Sequence, residues 1–259
     1  MRDTGIMGLE DFTTALDWQA RHAEENGAPA TARVIRALAG VRASDTATGK
    51  RIANWPGLTL KDAMPLRLAG GFHHLLLTGA DERLSQVYSG AMADQAAVDA
   101  LVLDLTRRFD AQLLPWLDGP PQTNEAGRSA SIMAGLLWLA QRVRTPRFDL
   151  FELGASAGVN TMIDRYFFRL DETEVGPPAS PMRIEPDWRG ASPPAPPAGF
   201  AITSVKGCDI APINLADPDS ALRLKAYVWR DASERMARID AAIALAGVQP
   251  PDLVAADAG

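Results

Sequence analysis

The stretch Phe148-Asp149-Leu150-Phe151-Glu152-Leu153-Gly154-Ala155-Ser156-Ala157-Gly158-Val159-Asn160 decides how this chain is read. Its first six residues are mostly apolar, which suits a buried parallel strand. The small residues 154–158 suit a tight loop, and Val159 to Phe168 is expected to follow as a helix. Strand, small-residue loop and helix make half of a βαβ unit. Glycines in such a loop let the backbone approach a ligand at a helix N-terminus.

Upstream of that stretch the pattern is helical. Leu9, Phe12, Leu16 and Ala20 recur at helix spacing up to Glu25. Asn26-Gly27 ends that helix and Pro29 follows, before a second helix over Ala30 to Ala39. Ala63 to Leu77 reads as a buried helix, Asp94 to Leu117 as one long amphipathic helix, and Asn124 to Val143 as another. Downstream, residues 176–199 hold eight prolines and three glycines, the composition of a loop or extended insertion. Phe200 to Val205 alternates like a strand and leads into Gly207-Cys208-Asp209. Asp219 to Ala246 is one helix or two, and Asp252 to Ala256 is a third strand. The expected class is α/β: a helical N-terminal region over 1–145, then the first half of a doubly wound, Rossmann-like parallel sheet over 146–259. In a 3-2-1 strand order the first strand is an open edge. With no helix after the third strand, the domain is expected to be truncated at its C-terminus and poorly soluble without a partner.

Composition narrows the partners. The chain has 259 residues, 47% apolar and 22% charged, an ordinary globular balance with enough length for a core. No apolar run approaches the ~18 residues of a membrane helix, and the N-terminus lacks a signal peptide's basic start. Cys208 is the only cysteine, which excludes a disulfide framework and a multi-thiolate metal site and fits a reducing cytoplasm. The net charge is −6, with fifteen bases against sixteen acids up to residue 145 and eleven against sixteen beyond it. Neither part has the basic excess of a nucleic-acid or anionic-membrane binder. A small-molecule partner is expected.

Residues 154–158 admit several chemistries. They fit G-x-S-x-G, the nucleophile elbow of α/β-hydrolases, with Ser156 as nucleophile. That arrangement needs a histidine after the serine, and His22, His73 and His74 all precede it. Ser156 is therefore expected not to be an acyl-transfer nucleophile. A dinucleotide loop needs G-x-G-x-x-G, but its second and third glycine positions hold Ser156 and Val159. A turn that merely packs, in a non-catalytic module with a Rossmann-like fold, is the plain alternative. The strand and loop also resemble the first motif of class I S-adenosylmethionine-dependent methyltransferases, an acid-ended strand before a glycine-rich turn, with Ser156 where the middle glycine stands. The resemblance implies that Glu152, Gly154, Ser156, Gly158 and Asn160 meet the methionine end of that cofactor. It implies Asp209, at the second strand end, for the ribose hydroxyls and Asp257, at the third, for the adenine. Loss of Asp209 is then expected to weaken cofactor binding and leave the stability of the free protein unchanged.

A second polar cluster is Gln122-Thr123-Asn124-Glu125-Ala126-Gly127-Arg128. Asn124 can cap a following helix and Glu125 suits its positive end. Capping alone does not explain five polar side chains in seven residues, so Gln122, Asn124, Glu125 and Arg128 are expected on the substrate side of the site. The two clusters, with Asp164-Arg165-Tyr166, Gly207-Cys208-Asp209-Ile210-Ala211-Pro212, Tyr227-Val228-Trp229 and Arg235, resemble the bacterial family called domain of unknown function 2332. That resemblance covers most of the chain, implies that these motifs belong together, and brings no known reaction. No metal site is expected: adjacent histidines such as His73-His74 point about 100° apart on a helix. Cys208 reads as a small buried hydrophobe, and Asp164-Arg165 as a surface or helix-end pair.

Overall fold

The computed structural model describes residues 12–122 and 124–257, which fall into two compact units. One holds the chain up to Thr123 together with Leu222–Met236, and the other holds Asn124–Ala221 and Ala237–Gly259. Leu9 and Thr123 lie outside the described residues.

The first unit is helical. Its elements are α1 (Phe12–Glu25), α2 (Pro29–Arg42), α3 (Ala47–Ala53), α4 (Met64–Leu77), α5 (Arg83–Tyr88), α6 (Gln95–Arg108) and α7 (Asp110–Leu113), with a 3-10 turn over Leu114–Leu117. In α1, Phe12, Leu16 and Ala20 are buried at four-residue spacing. Gly27 takes φ +76° and closes that helix, with the Ala28 N–H bonded to the Ala23 carbonyl at 2.8 Å. Pro29 opens α2, which packs against α1, α4 and α6 and buries Val34, Ile35, Leu38 and Val41 completely. The long helix expected over Asp94 to Leu117 is instead broken at Phe109, whose φ and ψ of −118° and 24° are not helical. The break turns Asp110 onto the start of α3, where its carboxylate accepts the Ala47 and Thr48 N–H groups at 2.6 and 2.9 Å. Thr46 caps the same helix through Gly49 N–H at 2.9 Å. The pattern of seven or fewer residues gave no periodic signal for α3 or α5.

The second unit carries α8 (Ser129–Ala140), β1 (Arg147–Leu153), β2 (Phe167–Leu170), β3 (Thr173–Val175), β4 (Arg183–Ile184), β5 (Ala201–Asp209) and β6 (Leu253–Ala255). Helix α9 (Pro218–Ala226) starts in this unit, and α10 (Ser233–Val248) ends in it. Strands β1, β5 and β6 form a parallel sheet in the order β1-β5-β6. Its register sets Glu152 against Gly207 and Leu153 against Cys208, and then Cys208 against Val254. The architecture is thus mixed α/β with a helical N-terminal part and a three-stranded parallel sheet, β1 at its edge. β1 is not the buried strand its composition predicts. It alternates, and Phe151 and Leu153 on one face are 60% and 62% exposed.

The helix expected over Val159 to Phe168 is also corrected. A 3-10 segment, Asn160–Arg165, is distorted at Met162, and the chain then extends at Tyr166 into β2. Tyr166 and Phe168 are fully buried, and the Tyr166 hydroxyl donates to the Val159 carbonyl. Two aromatics beside Phe167 fit a pleated, packed surface better than a helix turn. β2 pairs antiparallel with β3 and parallel with β4, so a second small sheet, β3-β2-β4, occupies part of the proline-rich stretch expected to be loop. Among the described residues no helix is long and apolar enough to cross a membrane.

Candidate functional site

Three backbone positions shape the loop after β1. Gly154, Ser156 and Gly158 have φ of +68°, +53° and +69°. For a serine that conformation costs of order 1–2 kcal/mol, and such strain persists where surroundings hold it. A Cβ at Gly158 would lie 2.9 Å from both Pro251 Cβ and Thr161 Oγ1. One at Gly207, on β5, would lie 2.7 Å from Ala155 Cβ and 2.8 Å from Leu253 Cδ2. The two glycines therefore let the loop settle onto the ends of β5 and β6.

Asp209 holds the loop there. Its Oδ2 accepts the Ser156 N–H at 2.8 Å and its Oδ1 accepts the Ala211 N–H at 2.9 Å. The Ala155 N–H reaches the Cys208 carbonyl at 2.9 Å, and the Ile213 N–H reaches the Ser156 carbonyl at 3.1 Å. Both oxygens of Asp209 thus serve the backbone, although each keeps a second lone pair. Asp257 follows β6, where the Ala256 N–H bonds the Asp209 carbonyl at 3.0 Å. The loop is thus bonded to the carboxyl end of β5, and the residue after β6 is bonded to the same Asp209.

Glu152, the half-buried acid of β1, faces this loop's far end. Burial pushes its carboxyl above the usual range, against a hydrogen bond from Asn160 and the charge of Arg128, which both favour ionisation. Glu152 Oε2 and Asn160 Oδ1 are buried with no hydrogen-bond partner. Two buried acceptors without a donor on hydrogen-bonded neighbours are costly, since each loses its water for nothing.

The second motif meets the first. Asn124 Oδ1 accepts the Val159 N–H at 3.3 Å, and Arg128 acts on Glu152 through its charge. Glu125 Oε1 accepts the Gly127 N–H at 3.0 Å and pairs with Arg238 Nε of α10 at 3.1 Å. Glu125 so organises its own turn and ties it to α10. Asn124, Glu125, Arg128, Glu152, Gly154, Ser156, Gly158, Asn160, Asp209 and Asp257 all belong to the α/β unit, whereas Gln122 belongs to the helical one. Sequence reasoning missed Arg238 and Pro251. Arg238 sits in an ordinary helical pattern, and nothing in the Pro250-Pro251 stop marks a contact with Gly158.

The histidines all lie in the helical unit, and the α/β unit has none. His73 is 2% exposed, with Nδ1 3.1 Å from the Ala226 carbonyl. A carbonyl only accepts, so Nδ1 carries the proton. Burial lowers the pKa of His73 to about 4, which keeps it neutral. Cys208 is buried and free. Among the described residues no group of three or more His, Cys, Asp or Glu side chains could hold a metal.

Residues 13–259 match the bacterial family described as "Uncharacterized protein conserved in bacteria (DUF2332)". The chain belongs to that family. No curated protein and no solved structure matches it.

Proposed function

We propose that this member of an uncharacterised bacterial family binds S-adenosylmethionine at the carboxyl ends of β1, β5 and β6, as a methyltransferase-like protein. The observation that carries the reading is the pair of buried acceptors without donors, Glu152 Oε2 and Asn160 Oδ1, beside a loop with three left-handed residues. An ammonium group is the donor such a pair lacks, and the methionine end of the cofactor carries one. The Gly154, Ser156 and Gly158 backbone would let it approach. The remaining lone pairs of Asp209 would take ribose hydroxyls, and Asp257 the adenine amino group. Asn124, Glu125 and Arg128 are assigned to the substrate side. The cofactor would supply an electrophilic methyl group, and the residues of this chain would orient it and exclude water.

Calorimetry with S-adenosylmethionine and S-adenosylhomocysteine tests the proposal. Both should bind, and Glu152→Ala should weaken them by roughly 10- to 100-fold, the worth of one hydrogen bond to a charged group. Absence of heat at millimolar ligand with folded protein removes the reading.

One observation favours a second reading. Ser156 sits at positive φ between a strand and a helical turn, as a nucleophile elbow requires. With no histidine in its own unit it lacks a local imidazole base. Fluorophosphonate labelling that disappears in Ser156→Ala would establish hydrolase chemistry; unlabelled protein excludes it.

A further inference from the structure

A second concave surface of the α/β unit lies away from the glycine loop. It is a cleft of about 560 Å³ that reaches Phe200 and Ile202, where the chain enters β5. The glycine loop meets β5 at Cys208, six residues further on, or roughly 20 Å along a strand. The volume falls within the roughly 300–1,000 Å³ range of small-molecule sites. Ile163 and Pro197 add apolar wall to Phe200 and Ile202. Among the described residues the cleft's charged lining residues are Asp164 and Glu174, both acids.

Neither carboxylate is firmly committed. Glu174 pairs with Arg169 at 2.9 Å, but the two side chains are 56% and 47% exposed. Such a pair is worth at most about 1 kcal/mol, so a ligand cation can compete for the acid. Asp164 has Arg165 Nε at 3.9 Å, beyond hydrogen-bond reach, because that guanidinium turns to the Gln249 carbonyl. An anionic ligand would meet two acids and no lining base, whereas a cation on an apolar body would match both the charge and the walls.

We propose that this cleft is a binding site for a small organic cation, an amine or guanidine carried on an apolar body. The site is independent of the cofactor reading. The test is calorimetry on the full chain with three ligands of similar shape: 2-phenylethylamine, 2-phenylethanol and 3-phenylpropionate. The amine should bind, the alcohol should bind about tenfold more weakly, and the carboxylate should give no heat. The double variant Asp164→Asn, Glu174→Gln should lose the preference for the amine and leave S-adenosylhomocysteine titrations as they are in the parent. Equal binding of all three, no binding of the amine at millimolar concentration, or an amine preference that survives in the folded double variant overturns the proposal. If the double variant does not fold, the rank order in the parent protein decides.

Discussion

The two compact units place unsatisfied polar groups differently. In the helical unit buried polar atoms without a hydrogen-bond partner, Arg33 Nε and His73 Nε2 among them, lie on separate helices, α2 and α4, and the left-handed Ala63, φ +52°, stands before α4. In the α/β unit Glu152 Oε2 and Asn160 Oδ1 belong to hydrogen-bonded neighbours, beside the strained Ser156. Apolar surface follows the same division. Ile35 and Leu38 of α2 are fully buried, whereas Phe151 and Leu153 of β1 stay mostly exposed. The helical unit spreads its unsatisfied groups, and the α/β unit keeps Glu152 Oε2 and Asn160 Oδ1 together beside Ser156. The proposed cofactor site rests on that concentration.

The largest test of the contrast is truncation on each side. Leu38→Ala should cost about 2–5 kcal/mol in chemical denaturation, because it leaves a cavity in a closed core. Phe151→Ser should fall within about 0.5 kcal/mol, as exposed positions do. Comparable losses would erase the difference between the units.

Acid should reach the helical unit through His73. Its folded pKa of about 4 lies below the ordinary 6.5, so the unfolded chain binds the proton more tightly between those values. The contribution of neutral His73 is therefore complete above pH 6.5 and lost as pH falls through 4, at most about 3 kcal/mol. His73→Asn keeps a donor for the Ala226 carbonyl and should flatten that part of the stability profile. An unchanged slope would assign the acid sensitivity elsewhere.

Asp209 joins stability to the site. Sequence alone predicts a ligand contact without structural weight, but its two N–H bonds make it a clasp. Asp209→Ala should cost about 1 kcal/mol of stability through the part-buried Ser156 N–H that loses its acceptor, the exposed Ala211 N–H turning to water. A melting temperature equal to that of the parent would return Asp209 to a pure binding role.

Much of this was legible before the structure. The order of three strands, the glycine turn and the helical stretch at α4 follow from periodicity and from small residues between apolar runs. The break at Phe109 was not, because the anchor of Asp110 is a helix start some sixty residues upstream. The β3-β2-β4 sheet was hidden because Tyr166 turns the chain through a bond to Val159 that no local pattern encodes. Glu152, Asn160 and Asp209 stand out in the sequence as polar residues at strand and loop ends. That Asp209 closes the loop and Glu125 reaches Arg238 depends on contacts across more than fifty residues.

Glu152→Gln gives the smallest effect and the finest separation. The raised pKa of Glu152 means that the folded chain holds its proton more tightly than the unfolded chain does. Its contribution is most favourable below the unfolded pKa and is lost as pH rises through the folded one, so at neutral pH the ionised form costs stability. A neutral glutamine should therefore raise the melting temperature slightly at pH 7, and the gain should vanish in acid. The rise is small because half the side chain is screened by solvent. The same substitution replaces an acceptor oxygen with an amide donor, so an ammonium-bearing ligand should bind roughly 10- to 100-fold more weakly. Stability and binding should move in opposite directions. A packing residue would lose both together, and that result would make Glu152 part of the fold alone.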